Sequence, residues 1–203
     1  AMAAKAKPLT PSEVERAIYI DFEGTAVDPP SLLGVISYDG TQRHFVQYVM
    51  EEELWPAADA KSPDHGGNCR PATWADLAEV RRQAETENRR VFAWSTHEAT
   101  ALVEHIPDED DREWFDANVE NAIPFARAWR RANHPDVVFT TDPANPYTGR
   151  NRLHRYFKLI GYRVPKAFGP GNAAQRIRKA REMLNRRGGD YSALTRTKKG
   201  QWT

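Results

Sequence analysis

Ala17-Ile18-Tyr19-Ile20-Asp21-Phe22-Glu23-Gly24 is an apolar run carrying two carboxylates at i and i+2. Side chains alternate faces along a strand, so a strand here puts Asp21 and Glu23 on one side and Phe22 on the other. Ala17, Ile18, Ile20 and Phe22 mark that strand as buried. Neighbouring carboxylates repel each other and are costly to shield from water. A divalent cation between them removes that cost, and hard oxygen ligands suit magnesium or manganese. The competing reading is a solvated pair at a strand end. Gly24 comes next, where a backbone can turn or approach a ligand closely.

Beyond this strand, Asp28-Pro29-Pro30 reads as a turn and Ser31 to Tyr38 as a second strand. Asp39-Gly40 is a hairpin signal, and Arg43 to Met50 reads as a third strand. The expected result is an antiparallel meander whose first strand bears the acid pair. Residues 56–71 contain Pro56, Pro63, Gly66, Gly67 and Pro71 and read as a loop. Its His65 and Cys69 are too few ligands for zinc. Thr73 reads as an N-cap with Asp76 three residues on, opening a helix to about Asn88. Arg90 to Ser95 reads as a fourth strand, and the helix between suggests a crossover to a parallel partner.

Thr96 is the expected cap of a short helix with Ala101, Leu102 and Ile106 inward. Glu98 then falls in its first turn, beside the carboxyl end of the strand, where ligands gather in open α/β sheets. A carboxylate there also complements the helix dipole, and that reading stays open. Asp108 is read as the start of a long helix that Pro124 kinks or splits. Asn118 and Asn121 on it are candidate donors to a cleft or plain polar surface. Val137-Val138-Phe139 is a fifth apolar run and Asp142 to Asn151 a loop. Leu153, Tyr156, Phe157 and Ile160 form a helical face ending at Gly161. Ala173 to Arg187 reads as a basic helix with Ala173, Ile177, Ala180 and Leu184 inward, stopped by Gly188-Gly189.

The chain has 203 residues, 40% hydrophobic, with six Trp and eight Phe, enough for one domain with a real core. Residues 1–15 are expected to be a tag remnant, Ala1 before Met2, with an N-terminal extension; residues 16–203 are expected to form a single domain. No apolar run approaches a membrane span, and the start reads as no secretory signal. The lone Cys69 makes a cytoplasmic setting the default. Net charge is +1, yet residues 1–149 hold 14 Lys/Arg against 26 Asp/Glu, while residues 150–203 hold 15 against 2. That division points to a carboxylate-rich body and a basic part, about 150–203, that meets a polyanion. The alternative is that the tail pairs with the body.

A meander, a crossover helix, a return strand and Asp-x-Glu on the first strand resemble the ribonuclease H-like superfamily, and within it the DEDD exonuclease group. The resemblance implies an α/β fold with a mixed sheet, an antiparallel three-strand meander followed by parallel strands, flanked by helices. It implies two magnesium or manganese ions held by four acids. Asp21 and Glu23 match the first two. Ser95-Thr96-His97-Glu98 looks similar to the third motif, which makes Glu98 the third ligand. The fourth is an Asp on a late helix. Asp190 comes after Gly188-Gly189 outside any helical pattern, Asp142 lies in a loop, and Tyr191 to Thr203 reads as the approach to such a helix.

The activity this resemblance implies is that of a nuclease, 3′–5′ exonuclease-like, that hydrolyses DNA or RNA phosphodiesters by a two-metal mechanism. Asp21 would bridge the ions, Glu23 and Glu98 would hold one each, and His97 is the candidate base. Arg176, Lys179, Lys198 and Lys199 would bind the nucleic acid with little sequence preference. The alternative is a degenerate module on the same fold that binds nucleic acid or a protein partner.

Overall fold

The structure, a computed structural model, describes residues 9–24, 29–141, 144, 152–164 and 172–199. A capping box between Thr10 and Glu13 opens a short helix, α1 (Pro11–Arg16), ahead of the first strand, β1 (Ile18–Glu23). β2 (Leu32–Tyr38) and β3 (Arg43–Val49) come next. Between them Asp39 Oδ1 accepts from the Thr41 and Gln42 amides at 2.7 and 2.9 Å, and Gly40 takes φ +100°, so the hairpin is built as the Asp-Gly pair predicts. Asp21 lies across from Gly34, and Glu23 across from Leu32.

Residues 56–71 are not a loop. They form α2 (Trp55–Lys61), a 3-10 turn at Ser62–His65 and a short strand, β4 (Cys69–Pro71), parallel to β3. Pro56 and Pro63 each stand in a first helical turn, where the missing amide hydrogen costs nothing. Gly66 and Gly67, with φ +60° and +80°, end the helical stretch.

The Thr73–Asp76 capping box forms, leading into a 3-10 turn and α3 (Ala78–Thr86). β5 (Val91–Ala93) then returns parallel to β1, with Ile18 beside Val91 and Ile20 beside Ala93. Ser95, not Thr96, caps α4 (Thr96–His105). The long helix begins at Asp108 but is interrupted: α5 (Glu109–Asn118) gives way to β6 (Val119–Asn121) and then α6 (Ile123–Asn133). The exposed edge of β5 takes Val119 to Asn121 as a parallel strand, and Pro124 restarts the helix in its first turn. α7 (Leu153–Leu159), α8 (Asn172–Asn185) and α9 (Arg196–Lys199) complete the described chain. Val137 to Phe139 forms no strand. Its Phe139 is spent on packing, edge-on to Tyr156 at 5.1 Å and under the Arg155 guanidinium at 4.5 Å.

Among the described residues six strands run β4-β3-β2-β1-β5-β6: a mixed sheet, antiparallel from β1 to β3 and parallel from β1 to β6. One face carries Ile18, Ile20, Phe22, Leu33, Val35, Val91 and Ala93 and packs against α3, α4 and α5 through residues such as Val80, Leu102 and Phe115. The other face carries Tyr19, Asp21 and Glu23 of β1. It is covered at two flanks. Over β3 and β4, Val49 and Leu32 meet Ala57 and Ala58 of α2 and Ile177 and Leu184 of α8. Beyond β1, Phe92 of β5 meets Phe125 of α6 edge-on at 5.8 Å. Among the described residues no helix is long and apolar enough to cross a membrane.

Candidate functional site

Because β1 is paired with β2 on one side and with β5 on the other, its side-chain alternation is locked. Ile18, Ile20 and Phe22 go to the core, and Asp21 and Glu23 are exposed on the opposite face. The last β5 residue in register is Ala93, beside Ile20, so the acid pair stands at the carboxyl end of the two parallel strands. The chain after β5 turns at once into Ser95 and α4, which brings Glu98 to the same end.

Glu98 is only 5% exposed. Its Oε2 accepts from the Ser95 amide at 3.1 Å and the Ser95 hydroxyl at 2.9 Å, and the Ser95 hydroxyl oxygen in turn accepts from the His97 amide. Glu98 therefore closes the capping box at the start of α4, and its charge acts on the acid pair. Loss of hydration, then the charges of Glu23 and Glu98, hold the Asp21 carboxyl up at about 7. Loss of hydration, then the Glu98 charge, push Glu23 upward too. The two side chains of β1 still touch water, but the protein around them takes part of their hydration shell.

Glu98 thus acts on both carboxylates of β1 and Glu23 on Asp21, though the three do not form one ligand set: among the described residues no three His, Cys, Asp or Glu side chains gather closely enough to hold one ion. Asp190 spends its Oδ1 on the Ser192 amide at 2.7 Å in the turn after α8, and Asp142 lies outside the described residues. His97 is exposed while its neighbour Glu98 is buried, so the two face different ways. Asn118 donates to Trp114 O at 2.7 Å, which takes up one of its amide hydrogens, and Asn121 accepts from the Ile123 amide at 2.9 Å through Oδ1.

The basic residues named from the sequence are spread out. Arg176 and Lys179 share a shallow recess of about 240 Å³ with Asn172 and Gln175 on the face of α8 turned away from buried Ile177 and Leu184. Lys198 and Lys199 on α9 are half-buried; Lys199 donates to Ser192 O at 3.0 Å and lies over the Tyr191 ring. Arg181 points the other way, into the fold. It forms a two-pronged ion pair with Glu51 and reaches the Ser31 hydroxyl at 3.4 Å. Ser31 is itself fully buried and its amide donates to Glu23 O at 2.9 Å. α8 is therefore fastened to the sheet at the end where the acid pair stands.

The opposite flank does not stand out in the sequence. α6 lies on the acid-bearing face through Phe125 and Phe92, and α7 is joined to it through Phe139. Residues 123–134 hold three arginines and no acid, and residues 152–163 hold three arginines, one lysine and no acid. That local run of one sign is readable, but a charge division drawn at residue 150 places α6 in the acidic body. On the other face α5 carries five acids against one arginine. Among the described residues, the acid pair thus stands between the flank bearing α8 and the flank bearing α6 and α7.

Neither a comparison with protein-family models nor one with curated proteins finds a match for this chain.

Proposed function

We propose that the protein is a divalent-metal-dependent nuclease, 3′–5′ exonuclease-like, on a ribonuclease H-like sheet. The observation that carries the reading is the shared face of Asp21 and Glu23 at the carboxyl end of β1, with the Glu98 charge acting on both. The strand order supports it, since the meander and the parallel strands lie on opposite sides of β1. The donor set fits magnesium or manganese: hard carboxylate oxygens whose mutual repulsion a cation would relieve. Asp21 and Glu23 would hold the metal from the strand, and Glu98 would stabilise it from the first turn of α4. When bound, the metal supplies an activated water and neutralises charge on the phosphate. Asp21, whose carboxyl is held up at about 7, would give up its proton on taking the cation. The flanks bearing α6–α7 and α8 attract the phosphates on either side of the scissile one.

A second reading is favoured by the missing three-carboxylate cluster and the missing fourth acid among the described residues: a module that binds nucleic acid without cutting it. Two measurements separate them. Labelled single-stranded DNA and RNA are incubated with manganese, and manganese binding is followed by calorimetry. Under the nuclease reading the wild type degrades the strand and Asp21→Ala does not. Retention of the strand at low salt with neither hydrolysis nor a metal site identifies the binding module. Hydrolysis undiminished in Asp21→Ala refutes the assignment of the site.

A further inference from the structure

Along β2, Leu32, Gly34, Ile36 and Tyr38 share the face of Asp21 and Glu23, while Leu33 and Val35 turn to the core. No charged side chain stands on either face, the pattern of a strand covered on both sides. Helices α2 and α8 cover it at Leu32. Its middle is open: Ile36 is 43% exposed, and Phe45, across from it on β3, 48%. Of the exposed large hydrophobic side chains among the described residues, these two alone lie on the sheet. The patch runs up to the acid pair. A Cβ on Gly34 would lie 3.4 Å from Phe45 Cε2 and 3.9 Å from its Cζ, so the outer end of the ring leans over the gap that the missing side chain leaves. Gly34 is the residue across from Asp21. On the other side of Gly34, on β3, stands Gln47, half-buried, with an amide that can donate and accept.

We propose that Phe45 and Ile36 form a shelf for the nucleobase of the nucleotide whose phosphate meets the acid pair. This deepens the nuclease reading and rests on it for the phosphate end alone; the contact between base and shelf needs no metal. The size of the patch selects the occupant. Two side chains half in water offer on the order of 200 Å², and a stable protein interface needs about 800 Å² from each partner. One heteroaromatic base matches the smaller area and takes it out of water. Neighbouring strands lie about 5 Å apart, so the shelf begins one strand from Asp21, within the length of a single nucleotide. Gln47 offers that base a hydrogen-bonding partner.

The test is NMR titration of the isotope-labelled protein with deoxyadenosine, a neutral nucleoside, in EDTA. The Phe45 ring and Ile36 methyl signals are expected to shift and saturate in the millimolar range, while the methyls of Val138 and Ile160, exposed elsewhere, stay in place. Deoxyribose 5-phosphate, which has no base, is expected to move none of them. Phe45→Ala is expected to weaken nucleoside binding about tenfold. Phe45→Tyr keeps the ring and is expected to keep most of the binding, which separates a lost contact from misfolding. Unmoved Phe45 and Ile36 signals, or shifts shared equally by Val138 and Ile160, overturn the proposal. So does a dimer in sedimentation that Phe45→Ala dissolves, which would give the patch to a second copy of the chain. Manganese-dependent hydrolysis is read separately, on an oligonucleotide ending in a normal or an abasic residue, with the normal end expected to be cut faster. Nucleoside binding as expected with neither end cut removes the nuclease reading alone. Equal hydrolysis of both ends with no nucleoside shift removes the shelf alone.

Discussion

Glu98 is joined to Ser95 twice, by the Ser95 amide at 3.1 Å and the Ser95 hydroxyl at 2.9 Å, while its charge raises the carboxyls of Asp21 and Glu23. One side chain therefore starts a helix and loads the acid pair. The roles separate by substitution. Glu98→Gln keeps an acceptor for Ser95 and removes the charge, so stability should change by less than about 0.5 kcal/mol. Carboxyl titration by NMR should find Asp21 moved down from about 7, because a like charge has left its surroundings. Ser95→Ala should cost about 1 kcal/mol, read from chemical denaturation. An unmoved Asp21 in Glu98→Gln would show that Glu98 does not act on the site.

Asp21 sets a pH dependence of stability. Its folded carboxyl titrates at about 7, above the ordinary aspartate value of 3.8, so the folded chain binds the extra proton between these values. Stability from that proton is full below the unfolded value and is lost as pH rises through about 7. Asp21→Asn should therefore melt higher than the wild type at about pH 8 in EDTA and show little gain at about pH 4. Solvent contact at Asp21 limits the relief to about 1 kcal/mol, roughly 2–4 °C in Tm. A gain of equal size at both pH values would place the effect outside this titration.

The local signals in the sequence that proved readable were those in which one residue type does one job. Asp39-Gly40 made its turn, Thr73 and Asp76 closed their box, and the alternation in β1 put Asp21 and Glu23 together. Pro56 and Pro63 misled because proline both breaks helices and begins them; only the chain after each shows which. β6 was hidden because three residues carry no period, and what makes Val119 to Asn121 a strand is the open edge of β5, a partner distant in sequence. The α6–α7 flank was hidden for the same kind of reason: its closeness to the acid pair depends on Phe92 meeting Phe125 and Phe139 meeting Tyr156, contacts no window of sequence contains.

The pair Arg181–Glu51 fastens α8 to the sheet end that carries Glu23. Both side chains are largely shielded, with 23% and 16% exposure. Removing one partner leaves a poorly hydrated charge behind, so Arg181→Met should destabilise by about 2 kcal/mol or more. Arg181→Met with Glu51→Leu should recover part of that loss in a double-mutant cycle. Limited proteolysis gives the local readout: α8 should be cut faster in the single variant than in the double. Equal, additive losses would mean that the two groups are not coupled.

Gly24 and Gly34 bracket the acid pair and should respond oppositely to a methyl group. A Cβ on Gly24 would come within 3.0 Å of Pro30 Cα and 3.3 Å of Ser31 N. That backbone is held by the Ser31 amide on Glu23 O at 2.9 Å and by the Met50 amide on Ser31 O at 2.8 Å, so it yields poorly. Gly24→Ala should cost about 1–3 kcal/mol, lowering Tm by several degrees. On Gly34 the nearest atom would be Phe45 Cε2 at 3.4 Å, the rim of a ring on an exposed side chain that can swing aside. Gly34→Ala should therefore be tolerated or slightly stabilising, since glycine inside a strand costs entropy. Thermal melts of the two variants decide it: a Gly34→Ala loss as large as that of Gly24→Ala would mean the Phe45 ring is held as firmly as the backbone.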